Sequence, residues 1–246
     1  MNFGRRYKKR IVISAVLIIF AVIIGVCAVY LGDYYRADSS ACSSFLEEHG
    51  VEMKSLKGGT VVCGDENADI GFIFYPGGKV EHKAYIPLMA AIAERGFFCV
   101  LVDMPFNLAV FDIDAAEGIR EEYGNLKEWY MVGHSLGGSM AASYISKRFE
   151  SFSGLILLAS YSTENLSDTN LRVLSVYGSE DGVMNRKKYE KNKSNLPDTF
   201  EEIIIEGGCH AYFGMYGEQK GDGTAAISPE EQIILTADAV ENFVGK

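Results

Sequence analysis

The sequence predicts an α/β domain with a mostly parallel central sheet flanked by helices, preceded by one transmembrane helix. Three observations support this fold class. A long apolar run follows a basic N-terminus, short apolar runs then alternate with amphipathic stretches, and no internal repeat or linker interrupts the alternation. Strands that alternate with helical patterns are typical of parallel sheets covered by helices. The length of 246 residues is ample for one such domain with a full core.

The first element is a transmembrane helix at residues 11–31. As a helix, this apolar run spans about 31 Å, which matches the hydrocarbon thickness of a bilayer. A cleaved signal peptide, with a cut near Ala41, and a buried soluble helix are the alternatives. The apolar region of a signal peptide is usually only about 7–15 residues long, which favours an uncleaved anchor.

Five basic residues precede the apolar run: Arg5, Arg6, Lys8, Lys9 and Arg10. Because basic residues stay on the cytoplasmic side of a membrane, residues 1–10 are predicted to be cytoplasmic and residues 32–246 extracytoplasmic. The chain is therefore predicted to be a single-pass protein of the cell membrane.

Residues 32–57 are predicted to form a polar stalk, over 32–41, and the lead-in to a domain at 58–246. Cys42 and Cys63 lie near the start of this outer part, where the compartment permits disulfides. A bond between them is possible, but the sequence does not indicate it. Cys99 lies in an apolar run and is predicted to be buried.

Six apolar runs are predicted as strands, most of them without polar alternation, as burial on both faces requires. They are Ile70–Tyr75, Phe97–Asp103, Trp129–Val132, Gly154–Ala159, Val173–Tyr177 and Glu202–Ile205. Helical patterns occupy Tyr85–Arg95, part of Leu108–Tyr123, and Gly138–Phe149. A capping box with proline at the first helical position begins the last helix at Ser228.

Composition and charge exclude several classes of protein. The 12% aromatic content and 23% charged content rule out a disordered chain. The net charge is −10, and the part after the basic N-terminus is more acidic still. Such a domain repels phosphate backbones, so no nucleic-acid partner is expected. The four histidines and five cysteines form no HExxH or CxxC pattern, so no metal site is expected.

A nucleophile motif lies between a predicted strand and a predicted helix. Residues 133–137, Gly-His-Ser-Leu-Gly, fit the G-x-S-x-G pattern. A serine in a tight strand-to-helix turn needs neighbours without bulky side chains, and the helix N-terminus favours developing negative charge. Ser135 is therefore interpreted as a nucleophile; the alternative is a glycine-rich turn that holds a structural serine.

A serine hydroxyl needs a base to take its proton, and the chain order for this motif is serine, acid, histidine. Asp181 follows a predicted strand at the sheet end where such folds gather functional residues, and Glu180 is the competing acid. His210 is the only histidine after the serine. We predict a triad of Ser135, Asp181 and His210. Cys209 is an alternative nucleophile, although it is expected to pack against the sheet.

Two backbone N–H groups are predicted to bind the oxyanion of an acyl-transfer intermediate. One belongs to Leu136, directly after the nucleophile. The other lies in the loop after the first predicted strand, where Gly78 is favoured over its neighbours Gly77 and Lys79.

Two features bear on the substrate. Only 13 residues connect the strands that end at Ala159 and begin at Val173, too few for a large helical lid, so an open site is expected. Four aromatic residues could form an apolar substrate wall: Tyr75, Phe106, Tyr212 and Phe213. The alternative is that the loop 211–228 is packed down by its own aromatic side chains.

Taken in order, the strand with its PGG loop, GHSLGG, GSEDG and GGCH resemble the α/β-hydrolase superfamily. More closely, the chain resembles a bacterial group of small hydrolases that share MPFNLAVF, at 104–111, and HAYFGMYGEQKGDG, at 210–223. The resemblance covers roughly residues 58–245. It implies the α/β-hydrolase fold and the Ser135, Asp181 and His210 triad, with no cofactor. It implies no particular substrate.

The sequence therefore predicts a membrane-anchored serine hydrolase that cleaves an ester, thioester or related small acyl substrate through an acyl-enzyme. One alternative is a catalytically silent surface protein of the same fold, which would lack a triad member. Another is an acyltransferase that uses the same triad with an acceptor other than water.

Overall fold

The computed structural model describes residues 3–56 and 58–245. Residues 1, 2, 57 and 246, which belong to the predicted segments 1–10, 32–57 and 58–246, lie outside the described residues. Two compact units divide the chain, Met1–Tyr34 and Tyr35–Lys246. The described part of the first contains one helix, α1 (Phe3–Gly32). Its segment Ile13–Gly32 is long and apolar enough to cross a membrane, and none of it is buried. The predicted apolar helix is thus present.

An eight-stranded sheet forms the centre of the second unit, in the order β1-β2-β4-β3-β5-β6-β7-β8. Strands β3 to β8 run parallel, whereas β1 pairs with β2 and β2 pairs with β4 in antiparallel fashion. The mostly parallel sheet is thereby confirmed. The strands are β1 (Met53–Ser55), β2 (Val61–Cys63), β3 (Ile70–Tyr75), β4 (Phe98–Leu101), β5 (Glu128–His134), β6 (Gly154–Leu158), β7 (Arg172–Gly178) and β8 (Glu201–Ile205).

Helices cover both faces of the sheet. They are α2 (Ser39–His49), α3 (Ile86–Ala93), α4 (Ile119–Glu122), α5 (Leu136–Ser146), α6 (Arg186–Asn192) and α7 (Pro229–Val244). Side chains of β3 alternate between two apolar clusters: Phe72 and Phe74 pack in the cluster that includes α3 and α7, and Ile73 and Tyr75 pack in the cluster that includes α5. Burial on both faces explains why the inner parallel strands β3, β4 and β6 are apolar, whereas the edge strand β8 begins with two glutamates.

The structure differs from the predicted stalk. Tyr35 pairs with Val80 by a backbone bridge, and α2 begins at Ser39, where the Asp38 carboxylate accepts the N–H groups of Ser40 and Ala41. The compact unit therefore starts at Tyr35 rather than at residue 58. Backbone bonds join Tyr35 to Lys79 and Glu81, and the Asp38 cap satisfies N–H groups that would otherwise be unpaired at the start of α2.

Other connections also differ in part. The helical pattern of residues 108–123 is two short pieces, a 3₁₀ turn at Ala109–Phe111 and α4. Residues 159–171, all of them described, connect β6 to β7 without a helix, so this connection forms no helical lid. All five cysteines lie in the described part of the chain and are free, so Cys42 and Cys63 form no bond, and Cys99 is buried.

Candidate active site

Ser135 lies in a strained turn between the end of β5 and the start of α5. Its backbone dihedrals are φ 51° and ψ −122°, a region that costs a residue with a side chain about 1–3 kcal/mol. Neighbouring groups hold it there: its N–H donates to the Leu158 carbonyl at 2.9 Å, and its carbonyl accepts from Ser160 Oγ at 2.7 Å. The turn leaves the Ser135 side chain half-buried at the carboxyl end of the sheet.

The two glycines of the motif lie where other backbone atoms leave no room for a side chain. A Cβ atom on Gly133 would lie 2.6 Å from the backbone of Gly137 and Gly138. A Cβ atom on Gly137 would lie 2.3 Å from the carbonyl oxygens of Tyr75 and Pro76. No larger residue fits either position, which is the physical reason for the spacing of the motif.

Asp181 and His210 meet at the ends of β7 and β8. His210 Nδ1 lies 2.9 Å from Asp181 Oδ2, and both side chains are buried. The other carboxylate oxygen of Asp181 accepts the N–H groups of Val183 and Met184 at 2.9 and 2.8 Å. Glu180, the competing acid, is exposed and instead accepts from Ser179 Oγ at 3.0 Å. Asp181 thus orients the imidazole ring of His210.

Ser135 and His210 line the same pocket, which has a volume of about 240 Å³. His210 Nε2 is buried and has no hydrogen-bond partner among the described residues. Because Nδ1 faces Asp181, Nε2 is the ring nitrogen that is available to a hydroxyl proton. The rest of the pocket is lined by Leu136, Ser139, Ala159, Ser160, Tyr161, Val183, Met184 and Asn185.

The three candidate N–H donors in the loop after β3 differ in whether they already have an acceptor. The N–H of Gly77 donates to Tyr85 Oη at 3.1 Å, and that of Lys79 donates to the Asn107 carbonyl at 2.7 Å. Gly78 lies beside Leu136: a Cβ atom placed on Gly78 would be 2.7 Å from Leu136 Cδ2. Leu136 is the first residue of α5, so its N–H has no acceptor within the helix. Gly78 and Leu136 therefore suit an oxyanion best.

A buried network that the sequence does not reveal joins this loop to His210. Tyr85 Oη lies 2.8 Å from His134 Nδ1, and His134 Nε2 lies 3.1 Å from the His210 carbonyl. Burial and the nearby His210 hold the pKa of His134 well below its usual range, so its ring is neutral. Nε2–H then donates to His210, and Nδ1 accepts the Tyr85 hydroxyl proton. In the sequence, the only signal for His134 is its position next to Ser135 in the motif of residues 133–137.

Asp222 is a second residue that the sequence alone does not identify. Its carboxylate accepts four backbone N–H groups, from Gly182 at 3.1 Å, His210 at 3.1 Å, Ala211 at 2.8 Å and Gly223 at 2.9 Å. Partial burial raises the pKa of Asp222, but these donors outweigh it and hold the pKa below its usual value. One carboxylate thus ties the Asp181 loop to the His210 loop. The signal that could have identified Asp222 is its position in segment 210–223, which the chain shares with the bacterial group of small hydrolases that it resembles.

The predicted aromatic substrate wall is not assembled. Tyr75 is buried, with its hydroxyl between the Ile113 carbonyl and the Ala116 N–H. Phe213 is buried against the His134 ring, Tyr212 lines a different pocket, and Phe106 is 60% exposed. None of the four lines the pocket of Ser135 among the described residues. The loop 211–228 is instead packed down by its own aromatic side chains, the alternative interpretation.

Cys209 is a poor nucleophile in this setting. Its side chain is buried, and burial raises the pKa of the thiol to about 12. The thiolate, which is the reactive form, is therefore scarce at neutral pH.

Replacing Tyr85 by phenylalanine tests the buried network. The Tyr85→Phe variant leaves the Gly77 N–H and His134 Nδ1 without their partner, which is expected to cost about 1–3 kcal/mol of stability. Tyr212→Phe, which removes a half-buried hydroxyl, is the matched control and should change stability by less than about 0.5 kcal/mol. Urea unfolding followed by the fluorescence of Trp129, the single tryptophan, measures both. Equal effects would contradict the network.

Known proteins resemble the chain in sequence pattern and fold. Residues 71–234 match the alpha/beta hydrolase family. No sequence among the curated proteins compared is significantly similar. A bacterial membrane phospholipase A shares the fold at 14% identity and a TM-score of 0.61, over 96% of this chain and 98% of that chain.

Two further solved structures share the fold. Naproxen esterase (carboxylesterase NP) from Bacillus subtilis is 13% identical, with a TM-score of 0.59 over 82% of this chain and 95% of that one. A predicted CIB-like hydrolase from Thermoplasma acidophilum is 18% identical, with a TM-score of 0.55 over 78% and 98%. At these identities the likeness shows the fold alone. With its eight-stranded sheet and the family match over residues 71–234, the chain belongs to the α/β-hydrolase family.

Proposed function

We propose that the chain is a membrane-anchored serine hydrolase that cleaves an ester, thioester or related acyl bond through Ser135, His210 and Asp181. One observation carries the proposal. The strained turn of Ser135 borders a pocket that also contains His210, whose Nε2 is buried without a partner among the described residues and whose Nδ1 lies 2.9 Å from Asp181. This arrangement has the parts that acyl transfer to a serine requires.

The proposed reaction has two halves. Ser135 Oγ attacks the acyl carbon while its proton passes to His210 Nε2, and Asp181 stabilises the resulting imidazolium. The N–H groups of Gly78 and Leu136 donate to the oxyanion. His210 then returns the proton to the leaving alcohol or thiol, which breaks the acyl bond and leaves an acyl-enzyme. Water then attacks this ester while its proton passes to His210 Nε2. The acyl–Ser135 Oγ bond breaks, His210 returns the proton to Ser135 Oγ, and the acid is released.

The class of substrate is proposed from the site and from the neighbours in fold. The structures that share the fold include carboxylesterases and a membrane phospholipase A, which supports an ester bond. The pocket of about 240 Å³ supports a small acyl or alcohol group beside Ser135. The lidless β6–β7 connection, described in full, supports access of water and hence hydrolysis over acyl transfer to another acceptor.

The N-terminal segment is proposed to anchor the chain with its N-terminus in the cytoplasm and its hydrolase domain outside. The exposed apolar segment Ile13–Gly32 supports the anchor. The five basic residues before it in the sequence, with none among residues 11–31, support the orientation.

Replacing Ser135 by alanine tests the nucleophile. Ser135→Ala should abolish labelling by a fluorophosphonate probe and turnover of p-nitrophenyl esters, because the attacking oxygen is removed. Ser139→Ala is the matched control in the same pocket and should still be labelled. Labelling of Ser135→Ala at the wild-type rate would show that the nucleophile lies elsewhere, with Cys209 the first residue to examine.

The two neighbouring acids are expected to behave differently. Asp181→Asn should lower kcat by about 10⁴-fold, as in serine proteases, because the ring of His210 loses its orienting acceptor. Glu180→Gln should have little effect, since this side chain is exposed. Steady-state rates with p-nitrophenyl acetate measure both, and a reversed order would assign Glu180 as the acid.

Asp222 is predicted to be a positioning residue. In Asp222→Ala the four N–H groups lose their acceptor, and small displacements of His210 are expected to lower kcat by about 10²-fold. KM should change little, because the carboxylate is not part of the pocket of Ser135. Glu218→Ala, an exposed acid of the same loop, is the control. A rise in KM with unchanged kcat would contradict positioning.

The topology is tested by fractionation and protease access. An uncleaved anchor should keep the chain in membranes after a carbonate wash, at its full mass of 27.0 kDa. Protease added to wall-stripped intact cells should digest the domain. A soluble, shortened product would indicate cleavage near Ala41, and a domain that is digested only after lysis would reverse the orientation.

A further inference from the structure

Two phenyl rings and a valine are exposed together on the loop that follows β4. Phe106 is 60% exposed, Val110 45% and Phe111 58%. The rings of Phe106 and Phe111 pack edge to face, with their centroids 5.8 Å apart, so these side chains form one patch. We call it the Phe106–Phe111 patch. Clustered exposed aromatic residues are unfavourable in water and typical of surfaces that bind a partner or a membrane.

The backbone holds this patch outward at a cost. Phe106 and Asn107 both have φ 56°, in the left-handed region that residues with side chains rarely adopt. The next two residues, Leu108 and Ala109, are buried and fix the middle of the loop to the core. The exposure of Phe106 and Phe111 is therefore a property of an anchored loop.

Lys79 connects the patch both to the proposed oxyanion loop and to the start of the domain. Its N–H donates to the Asn107 carbonyl at 2.7 Å, and its carbonyl accepts the N–H of Tyr35 at 2.8 Å. The Tyr35 carbonyl in turn accepts the N–H of Glu81 at 2.9 Å. Backbone hydrogen bonds of Lys79 thus join the loop after β3 to the loop of the Phe106–Phe111 patch and to Tyr35 at the start of the domain.

The covalent chain brings a lipid surface within reach of this junction. The apolar segment Ile13–Gly32 is followed by only Asp33 and Tyr34 before Tyr35. Three residue steps span at most about 11 Å, whatever the orientation of the domain. If Ile13–Gly32 crosses a membrane, Tyr35 cannot lie far from its surface.

We propose that the Phe106–Phe111 patch docks on the lipid surface of the bilayer that holds α1, and that the Ser135 site thereby receives acyl esters from this surface. The proposal rests on the proposed anchored hydrolase. Phenyl rings are well suited to the boundary between headgroups and acyl chains. Asp112, exposed beside the patch, favours neutral headgroups over anionic ones.

Fluorescence quenching tests the docking without reference to catalysis. The full chain carrying Phe111→Trp is reconstituted in phosphatidylcholine vesicles, with and without lipids brominated on their acyl chains. The added indole is expected to lose most of its emission to the bromine atoms. Phe149→Trp, at an exposed phenylalanine after α5, is the matched control and should keep its emission. Equal emission losses in the two variants would overturn the docking.

Labelling by two fluorophosphonates tests the delivery of substrate. One carries a hexadecyl chain and partitions into the vesicles, and the other is short and water-soluble. The double variant Val110→Ser with Phe111→Ser should react at least about tenfold more slowly with the lipid-borne probe, because two apolar side chains no longer contact the lipid surface. Its rate with the soluble probe should equal that of the wild type. Phe149→Ser should match the wild type with both.

The outcomes separate the two proposals. If the double variant reacts with the lipid-borne probe at the wild-type rate, or if the wild type reacts with the soluble probe alone, delivery from the lipid surface is wrong. If the wild type reacts with neither probe, the proposed serine hydrolase is wrong, while the quenching of Phe111→Trp still decides the docking.

Discussion

The candidate site depends on how closely the first turn of α5 approaches the loop after β3. Gly137 has no room for a side chain against the carbonyl groups of Tyr75 and Pro76. This contact places Leu136 beside Gly78, so two N–H groups from distant parts of the chain can face one oxygen atom. The strained φ of Ser135 follows from the same constraint, because the chain must turn from β5 into α5 within a single residue.

Hydrogen bonds of buried polar groups hold the loops around the candidate site. The neutral ring of His134 links Tyr85 to the carbonyl of His210, and Asp222 collects N–H groups from the loops of Asp181 and His210. Buried networks of this kind are stabilising only when each member has its partner. The loops that carry Asp181 and His210 are therefore held by hydrogen bonds rather than by regular secondary structure.

The parallel strands and the serine motif could be predicted because they leave local signals, namely continuous apolar runs and a fixed glycine spacing. Strands β1 and β2 have three residues each, too few for a pattern, and α2 begins with small polar residues whose helix depends on the Asp38 cap. The predicted aromatic wall does not line the pocket of Ser135, because packing between distant parts of the chain decides whether Tyr75 or Phe213 faces a pocket or the core. The carboxylate of Asp222 accepts backbone N–H groups, so its partners could not be predicted from side-chain types, and only its place in segment 210–223 pointed to it.

The edges of the sheet have a consequence for how copies of the chain meet. One edge strand, β1, has only three residues, and the other, β8, begins with two glutamates, of which Glu202 pairs with Lys193 at 2.6 Å. Short or charged edges are poor templates for a strand from a neighbouring molecule. Crowded copies should therefore resist the edge-to-edge pairing that leads sheets to aggregate.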